Sequence, residues 1–300
     1  MMRTARTDPT AIALAFVASF LWAAYYPLIV ILPASFDGAV LVYPFLFGAI
    51  PFLAMAWRHH GSPQEGSHAG GASWRTYLMG GLFMALLQVD VILSTRAVGA
   101  VPTAIFTLLG DVIAIPAFSF LLWREGADRV LSGRFWVGAA VAIVGAMLAI
   151  IGGGGSLSLG WRLVLLEVPI PLLVGAYFAF IAEATRNARI DRVVGPVTMS
   201  GFLLSLVALA FLGGPVQIVA LPSWGYVDLF AVGATTFFIA PWAFFRAGQR
   251  VSIVIPSVIN ATIPIFTMLL VVGFLGTPIT FLEVLSIPLA FGGAYVAIVA

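Results

Sequence analysis

Long apolar segments alternate with short polar ones along the whole of this 300-residue chain. A helix needs about 20 residues to cross a bilayer. The apolar runs at 10–32, 39–57, 75–97, 101–123, 135–152, 162–185, 194–212, 225–246, 251–275 and 280–300 approach or exceed that length. The pattern predicts ten membrane-spanning helices and leaves no room for a separate soluble domain. The first run follows a short basic segment, as a signal peptide would. At about 22 residues it exceeds the usual signal core of about 7–15, and it reads as the first span.

Charge gives the spans a direction. All 14 basic residues are arginine. With ten spans and a cytoplasmic N-terminus, twelve of them fall on one side: Arg3, Arg6, Arg58, Arg75, Arg124, Arg129, Arg134, Arg186, Arg189, Arg192, Arg246 and Arg250. Only Arg96 and Arg162 fall on the other. Basic residues in short loops mark the cytoplasmic face, so the split predicts a multi-pass protein of the cell (inner) membrane with both termini inside. A composition of 62% hydrophobic and 9% charged residues is far from that of soluble domains. The arginines flank spans instead of gathering on one folded face, which argues against a nucleic-acid partner.

Several chemistries drop out. Cysteine is absent, which removes disulfides and thiolate sites. All three histidines, His59, His60 and His68, lie in the polar stretch 58–74, which reads as a solvated loop with no ordered metal-ligand spacing. Gly152–Gly155 cannot be a phosphate loop without a lysine, and reads as a linker between halves. No intramembrane histidine and no HExxH motif is present, so neither an enzyme nor a bound metal or cofactor is expected.

The halves resemble each other. Gly145-Ala146-Met147-Leu148-Ala149-Ile150 matches Gly293-Ala294-Tyr295-Val296-Ala297-Ile298 at an offset of 148, which Pro116 and Pro264 share. This suggests two five-helix repeats, 1–152 and 153–300. Five is odd, so the second copy enters the membrane from the opposite side. Inverted repeats of this kind build secondary transporters, with the substrate site near the midplane. The expected fold is all-α, with a central cavity among spans 1, 3, 4, 6, 8 and 9, and with spans 5 and 10 at the periphery.

A carboxylate inside the membrane normally faces a cavity or a partner. Asp111 lies mid-span, and Thr103, Thr107 and Asp111 recur at i, i+4 and i+8 along one face. That stripe suits a substrate amine, a cation or a titratable group, although threonine also bonds back to its own helix. Gln88 and Asp90 point to nearly opposite sides of span 3, so only one can face the cavity. Asp90 could instead pair with Arg96. Span 9 aligns Ser257, Asn260, Pro264 and Thr267, where the proline is expected to kink the helix and free the Asn260 carbonyl. The same stripe would also serve as helix-packing glue. Trp22 and Tyr26 lie one turn apart on span 1. Glu183 and Arg186 read as a local ion pair. Glu167, Asp228 and Glu283 read as solvated helix ends.

Phe120-Leu121-Leu122-Trp123-Arg124-Glu125 resembles the "LLLGE" ending of the fourth helix in the drug/metabolite transporter superfamily, EamA type. The run from Pro264 through Gly276-Thr277-Pro278-Ile279-Thr280 is similar to the family's "LLGE-x-LT" passage into helix ten, with Thr277 in place of the acid. Phe20-Leu21-Trp22 resembles its first-helix "LW". The resemblance implies Trp22 beside the cavity, Tyr177 in the related place of the second repeat, and amino-acid export as the first functional expectation. The expected binding residues are Trp22, Tyr26, Gln88, Asp90, Thr107, Asp111, Tyr177 and Asn260. The partners expected are the lipid bilayer and a small zwitterionic or cationic solute, because no arginine or lysine stands mid-membrane for a polyanion. A multidrug or organic-cation exporter is the alternative within transport. A scaffold would not need these polar stripes.

Overall fold

The computed structural model describes residues 8–58, 73–123, 131–152, 166–186, 188–212, 222–251 and 253–299. The histidine-bearing loop, the glycine run after Gly152, the Arg124-Glu125 end of the family-like motif and Arg162 lie outside them. Every described element is helical. α1 spans Pro9–Ile31, and a short 3-10 turn, Ala34–Phe36, leads into α2, Asp37–Arg58. α3 is Trp74–Val98. α4, Ala100–Leu109, runs through a π-helical turn at Gly110–Ala114 into α5, Ile115–Trp123. Then come α6, Gly133–Gly152, α7, Pro169–Arg186, and α8, Ile190–Leu212. α9, Ser223–Val232, passes through a π turn at Gly233–Ile239 into α10, Ala240–Arg250. α11, Val254–Asn260, and α12, Ile263–Leu270, are followed by a third π turn, Val271–Leu275, and by α13, Phe281–Val299.

Among the described residues, six stretches are long and apolar enough to cross a membrane: Pro9–Ile31, Ala34–Arg58, Trp74–Val98, Ala100–Leu122, Ile190–Ala210 and Ser223–Arg250. Gly133–Ala149, Ile263–Leu275 and Phe281–Gly293 form shorter apolar helices. The molecule is therefore an all-helical, multi-pass membrane protein.

Side-chain contacts fix how the helices run. The end of α1 meets the end of α3, where Arg96 Nη2 donates to the Leu32 carbonyl at 2.7 Å. The start of α1 meets the end of α10, where Arg250 donates to Asp8 at 2.9 Å. That guanidinium holds the Asp8 carboxyl below the usual carboxylate range. α7 starts at the α3 end, through Glu167 and Ser94, and finishes at the α10 end, where Gln249 Nε2 donates to the Thr185 carbonyl at 2.9 Å. α1 and α7 thus run in opposite directions. Of the nine described arginines, eight lie at the α10 end of the molecule and only Arg96 at the other.

Gly99, with φ of 104°, turns the chain sharply between α3 and α4, a backbone region that side chains with a Cβ rarely adopt. α6 and α13 pack antiparallel on the outside. A Cβ on Gly145 would lie 2.5 Å from Ala290 N, and one on Gly293 would lie 2.4 Å from Ala142 N. The contact is reciprocal, since 142 and 290 are separated by the same 148 residues as 145 and 293. Trp136, Ile143, Val144 and Met147 on α6, and Tyr295 and Val296 on α13, are exposed. A continuous apolar face of that kind suits lipid, where it carries no hydrophobic penalty.

Three expectations are corrected. Asp90 does not pair with Arg96, whose guanidinium goes to Asp37 Oδ1 at 2.8 Å and to the Leu32 carbonyl. Pro264 does not kink one continuous helix. The chain breaks at Ala261–Thr262 and Pro264 occupies the first turn of α12, where its missing N–H costs nothing. Glu167 and Glu283 are buried, at 1% and 8% exposure, and are not solvated ends. Glu283 closes a reciprocal capping box with Thr280, accepting from its backbone N–H at 2.9 Å while its own N–H donates to Thr280 Oγ1 at 3.3 Å. Glu183 and Arg186 form the local ion pair, at 3.1 Å.

Candidate functional site

A cavity of about 90 Å³ lies at mid-height between α1, α3, α4 with its π turn, α7, the π turn before α10, and the α11–α12 break. These are the first, third, fourth, sixth, eighth and ninth of the predicted spans. One water needs about 10–15 Å³ of such space, so the chamber holds a small solute or a handful of waters and nothing larger.

Two π turns build its walls. A π turn inserts one residue into the helical register and widens the coil, which re-aims the side chains there. The first presents Asp111, buried at 1% exposure. The second presents Thr236 and Phe237. Close approach allows this: a Cβ on Gly110 would lie 2.5 Å from Val174 Cβ, and one on Gly175 would lie 2.3 Å from Ala114 Cβ. The α4 π turn therefore rests directly on α7.

Asp111 ends a polar chain that crosses three segments. The Asn260 amide donates from Nδ2 to Asp111 Oδ1 at 3.3 Å. Its Oδ1 accepts from the Ser19 hydroxyl of α1 at 2.9 Å. The amide thus orients the carboxylate without neutralising it, and no arginine stands among the lining residues. Tyr26 donates to Thr107 Oγ1 at 2.7 Å, and Thr107 donates on to the Thr103 carbonyl at 3.1 Å. Trp22 Nε1 donates to the Thr236 carbonyl at 3.1 Å, and its ring packs edge-on to Phe178, with centroids 5.4 Å apart.

Four lining side chains carry a buried polar atom with no protein partner: Gln88 Nε2, Tyr25 OH, Tyr177 OH and Thr236 Oγ1. Leaving such a group unpaired costs about 1–3 kcal/mol. All four atoms are covered in this structure, so a guest in the chamber reaches them only when the side chains that carry them turn towards it.

Seven of the eight residues singled out by sequence surround this chamber: Trp22, Tyr26, Gln88, Thr107, Asp111, Tyr177 and Asn260. Asp90 does not, because the 100° step along α3 turns it away from Gln88. Thr103 is fully buried and bonds back to Gly99. Ser257 bonds back to Ile253, and Thr267 donates to the Ala23 carbonyl at 3.2 Å, so both serve packing. The residues that sequence reasoning missed are Tyr25, Phe178, Thr236 and Phe237. Each neighbours a named position or sits in a π turn, and helical periodicity carries no signal for a register shift.

Fold and chamber together define a polytopic α-helical membrane protein with an acid-bearing cavity among its helices. The model of the EamA-like transporter family matches residues 164–299. One solved crystal structure aligns over 96% of this chain and 97% of its own, with 17% identity and a TM-score of 0.67, a likeness that shows the fold alone. No curated protein matches the chain.

Proposed function

We propose that this chain is a secondary transporter of the drug/metabolite superfamily, EamA type, that moves a small zwitterion, in first place an amino acid, by alternating access and in the export direction. The observation that carries the reading is the chamber's divided polarity. Asp111 offers a carboxyl group to an ammonium group, while Gln88 Nε2 and the Tyr25, Tyr177 and Thr236 hydroxyls, unpartnered and covered in this structure, are the donors that side-chain rotation would turn towards a carboxylate. An organic-cation exporter is the second reading, favoured by the aromatic walls beside Asp111. It leaves Gln88 Nε2, a donor only, with no partner on the guest.

The architecture proposed is ten crossings in two inverted repeats, 1–152 and 153–300. The reciprocal Gly145–Ala290 and Gly293–Ala142 contacts support it, as do the opposed directions of α1 and α7. The family match, about one repeat long, is consistent with the second boundary. The arginine-rich end is assigned to the cytoplasm, with both termini there. A cytoplasm-only reporter fused after residue 300 is expected to be active, and activity of a periplasm-only reporter there would reverse the topology.

Uptake into proteoliposomes, competed with unlabelled amino acids and their methyl esters, separates the two readings. Free amino acids should compete and the esters, which lack the carboxylate, should not. Esters that compete equally would favour the organic-cation reading. Gln88→Leu removes a buried donor that nothing in the protein satisfies. Thermal stability is therefore expected to stay level or rise, while affinity for the zwitterion falls about tenfold, as for the loss of a hydrogen bond to a charged group. A stability loss with unchanged affinity would make Gln88 structural.

A further inference from the structure

Two sets of contacts join the helices that surround the chamber, one at each end of the molecule, and they follow the same plan. At the arginine-rich end, the last turn of α10 holds the end of α7 through Gln249 Nε2, which reaches the Thr185 carbonyl at 2.9 Å and the Ala188 carbonyl at 3.3 Å. The same turn crosses to the other half of the chain through Arg250, which donates to Asp8, the residue that caps α1, at 2.9 Å. At the opposite end, the last turns of α3 hold the end of α1 through Arg96, which reaches the Leu32 carbonyl at 2.7 Å and Asp37 at 2.8 Å. They cross to the other half through Ser94, which donates to Glu167, just before α7 begins.

The roles exchange between halves. α3 and α10 each clamp the end of a helix in their own half and reach the start of a helix in the other. α1 is 23 residues long, so at about 1.5 Å per residue the two cross-half contacts stand some 35 Å apart, with the chamber between them. In each, one polar side-chain pair stands at the end of an apolar helix seam, as Asp8–Arg250 does beside the buried Ala11, Ala15 and Ala247. Arg250 and Asp8 are a part-exposed ion pair, at 40% and 28% side-chain exposure, of the kind whose net contribution is small. Glu167 is almost fully buried, yet Ser94 holds only one of its oxygens and Oε2 has no partner. Both are polar contacts that break without breaking a helix, which is what a transporter that opens on one side at a time requires.

We propose that Asp8–Arg250 and Ser94–Glu167 are the two alternating gates of the chamber; both contacts are made in this structure. The proposal rests on the alternating-access reading but not on the identity of the solute. Opening at the arginine-rich end separates α1 from α10, and opening at the other end separates α3 from α7. In each case the carbonyl clamps of Gln249 and Arg96 keep α7 with α10 and α1 with α3 while the two pairs part. This assigns Gln249 and Arg96 to rigid bodies, and Asp8, Arg250, Ser94 and Glu167 to the moving seams.

The chain has no cysteine, so Val91→Cys, on the chamber wall, provides a single thiol that reports opening. A membrane-impermeant maleimide is applied to vesicles from one face or the other, with no solute present. Arg250→Gln should speed labelling from the arginine-rich face about twofold to fivefold, the loss of one part-exposed ion pair, and should not speed it from the opposite face. Ser94→Ala should do the reverse. The charge exchange Asp8→Arg with Arg250→Asp should return labelling to the slow rate, as should Ser94→Thr, which keeps the hydroxyl. Equal effects at both faces, no effect at either, or failure of these two rescues would overturn the proposal. Complete labelling after unfolding in detergent confirms that each variant carries a reactive thiol. Because labelling needs no transported solute, failure here leaves the transport reading standing, and failure of amino-acid uptake leaves the gates standing.

Discussion

Asp111→Asn is expected to lower substrate affinity about tenfold to a hundredfold while the protein still folds and inserts. Asparagine keeps the size of the side chain and an oxygen for the Asn260 amide, which donates to Asp111 Oδ1 at 3.3 Å. The Asn260–Ser19 contact at 2.9 Å is untouched. What disappears is the carboxyl group's capacity to ionise against an ammonium guest. A hydrogen bond between an ammonium group and a carboxylate contributes about 1.5–3 kcal/mol, which is the stated range of affinity. Binding measured in detergent and transport measured in proteoliposomes should fall together, with the melting temperature close to that of the parent. Wild-type affinity in Asp111→Asn across the accessible pH range would make the carboxylate structural. The ammonium half of the zwitterion reading would fall with it, and the preference for cations over anions as well.

Asp111 also shows what the amino-acid pattern carries and what it does not. A polar residue in the middle of an apolar run has few places to go except inward, because lipid offers it no partner. That constraint pointed Gln88, Thr107, Asp111 and Asn260 towards one interior, and it identified the six helices that meet there. It did not distinguish a polar residue facing a chamber from one facing a neighbouring helix. Thr267 satisfies the same constraint by donating to the Ala23 carbonyl, and Ser257 by donating to Ile253. Glu167 looked like a solvated helix end because it lies near a span boundary. It is buried because α3 presents Ser94 to it from the other half of the chain, a contact 73 residues away that no local pattern contains. Arg96 was misassigned for the same reason. Asp90 is closer in the chain, yet Asp37 and the Leu32 carbonyl are closer in space. The aromatic partners Tyr25, Phe178 and Phe237 were illegible because tyrosine and phenylalanine face lipid as readily as a cavity, and because the π turns shift the faces on which they stand.

The largest loss of stability is expected from leucine at either glycine of the α6–α13 seam. At Gly145 a Cβ would lie 2.5 Å from Ala290 N and 2.9 Å from the Ser286 carbonyl oxygen. At Gly293 it would lie 2.4 Å from Ala142 N and 2.5 Å from the Gly138 carbonyl oxygen. The obstacles are backbone atoms, which cannot swing aside as a flexible side-chain tip would, so the helices must separate. In a membrane, close packing of this kind replaces the hydrophobic effect as the force that joins helices, and small residues make it possible. Overpacking costs roughly 1–3 kcal/mol where neighbours can adjust, which corresponds to about 2–12 °C in melting temperature, and rigid backbone places these sites at the upper end. Gly292 is the internal control: a Cβ there meets nothing within 4 Å. Gly292→Leu should therefore melt with the parent, while Gly145→Leu and Gly293→Leu melt lower by similar amounts, since their surroundings match atom for atom at the 148-residue offset. Thermal unfolding of the detergent-solubilised variants checks this directly. A loss confined to one of the two glycines would show that the seam is not reciprocal, and would withdraw its support from the inverted repeat.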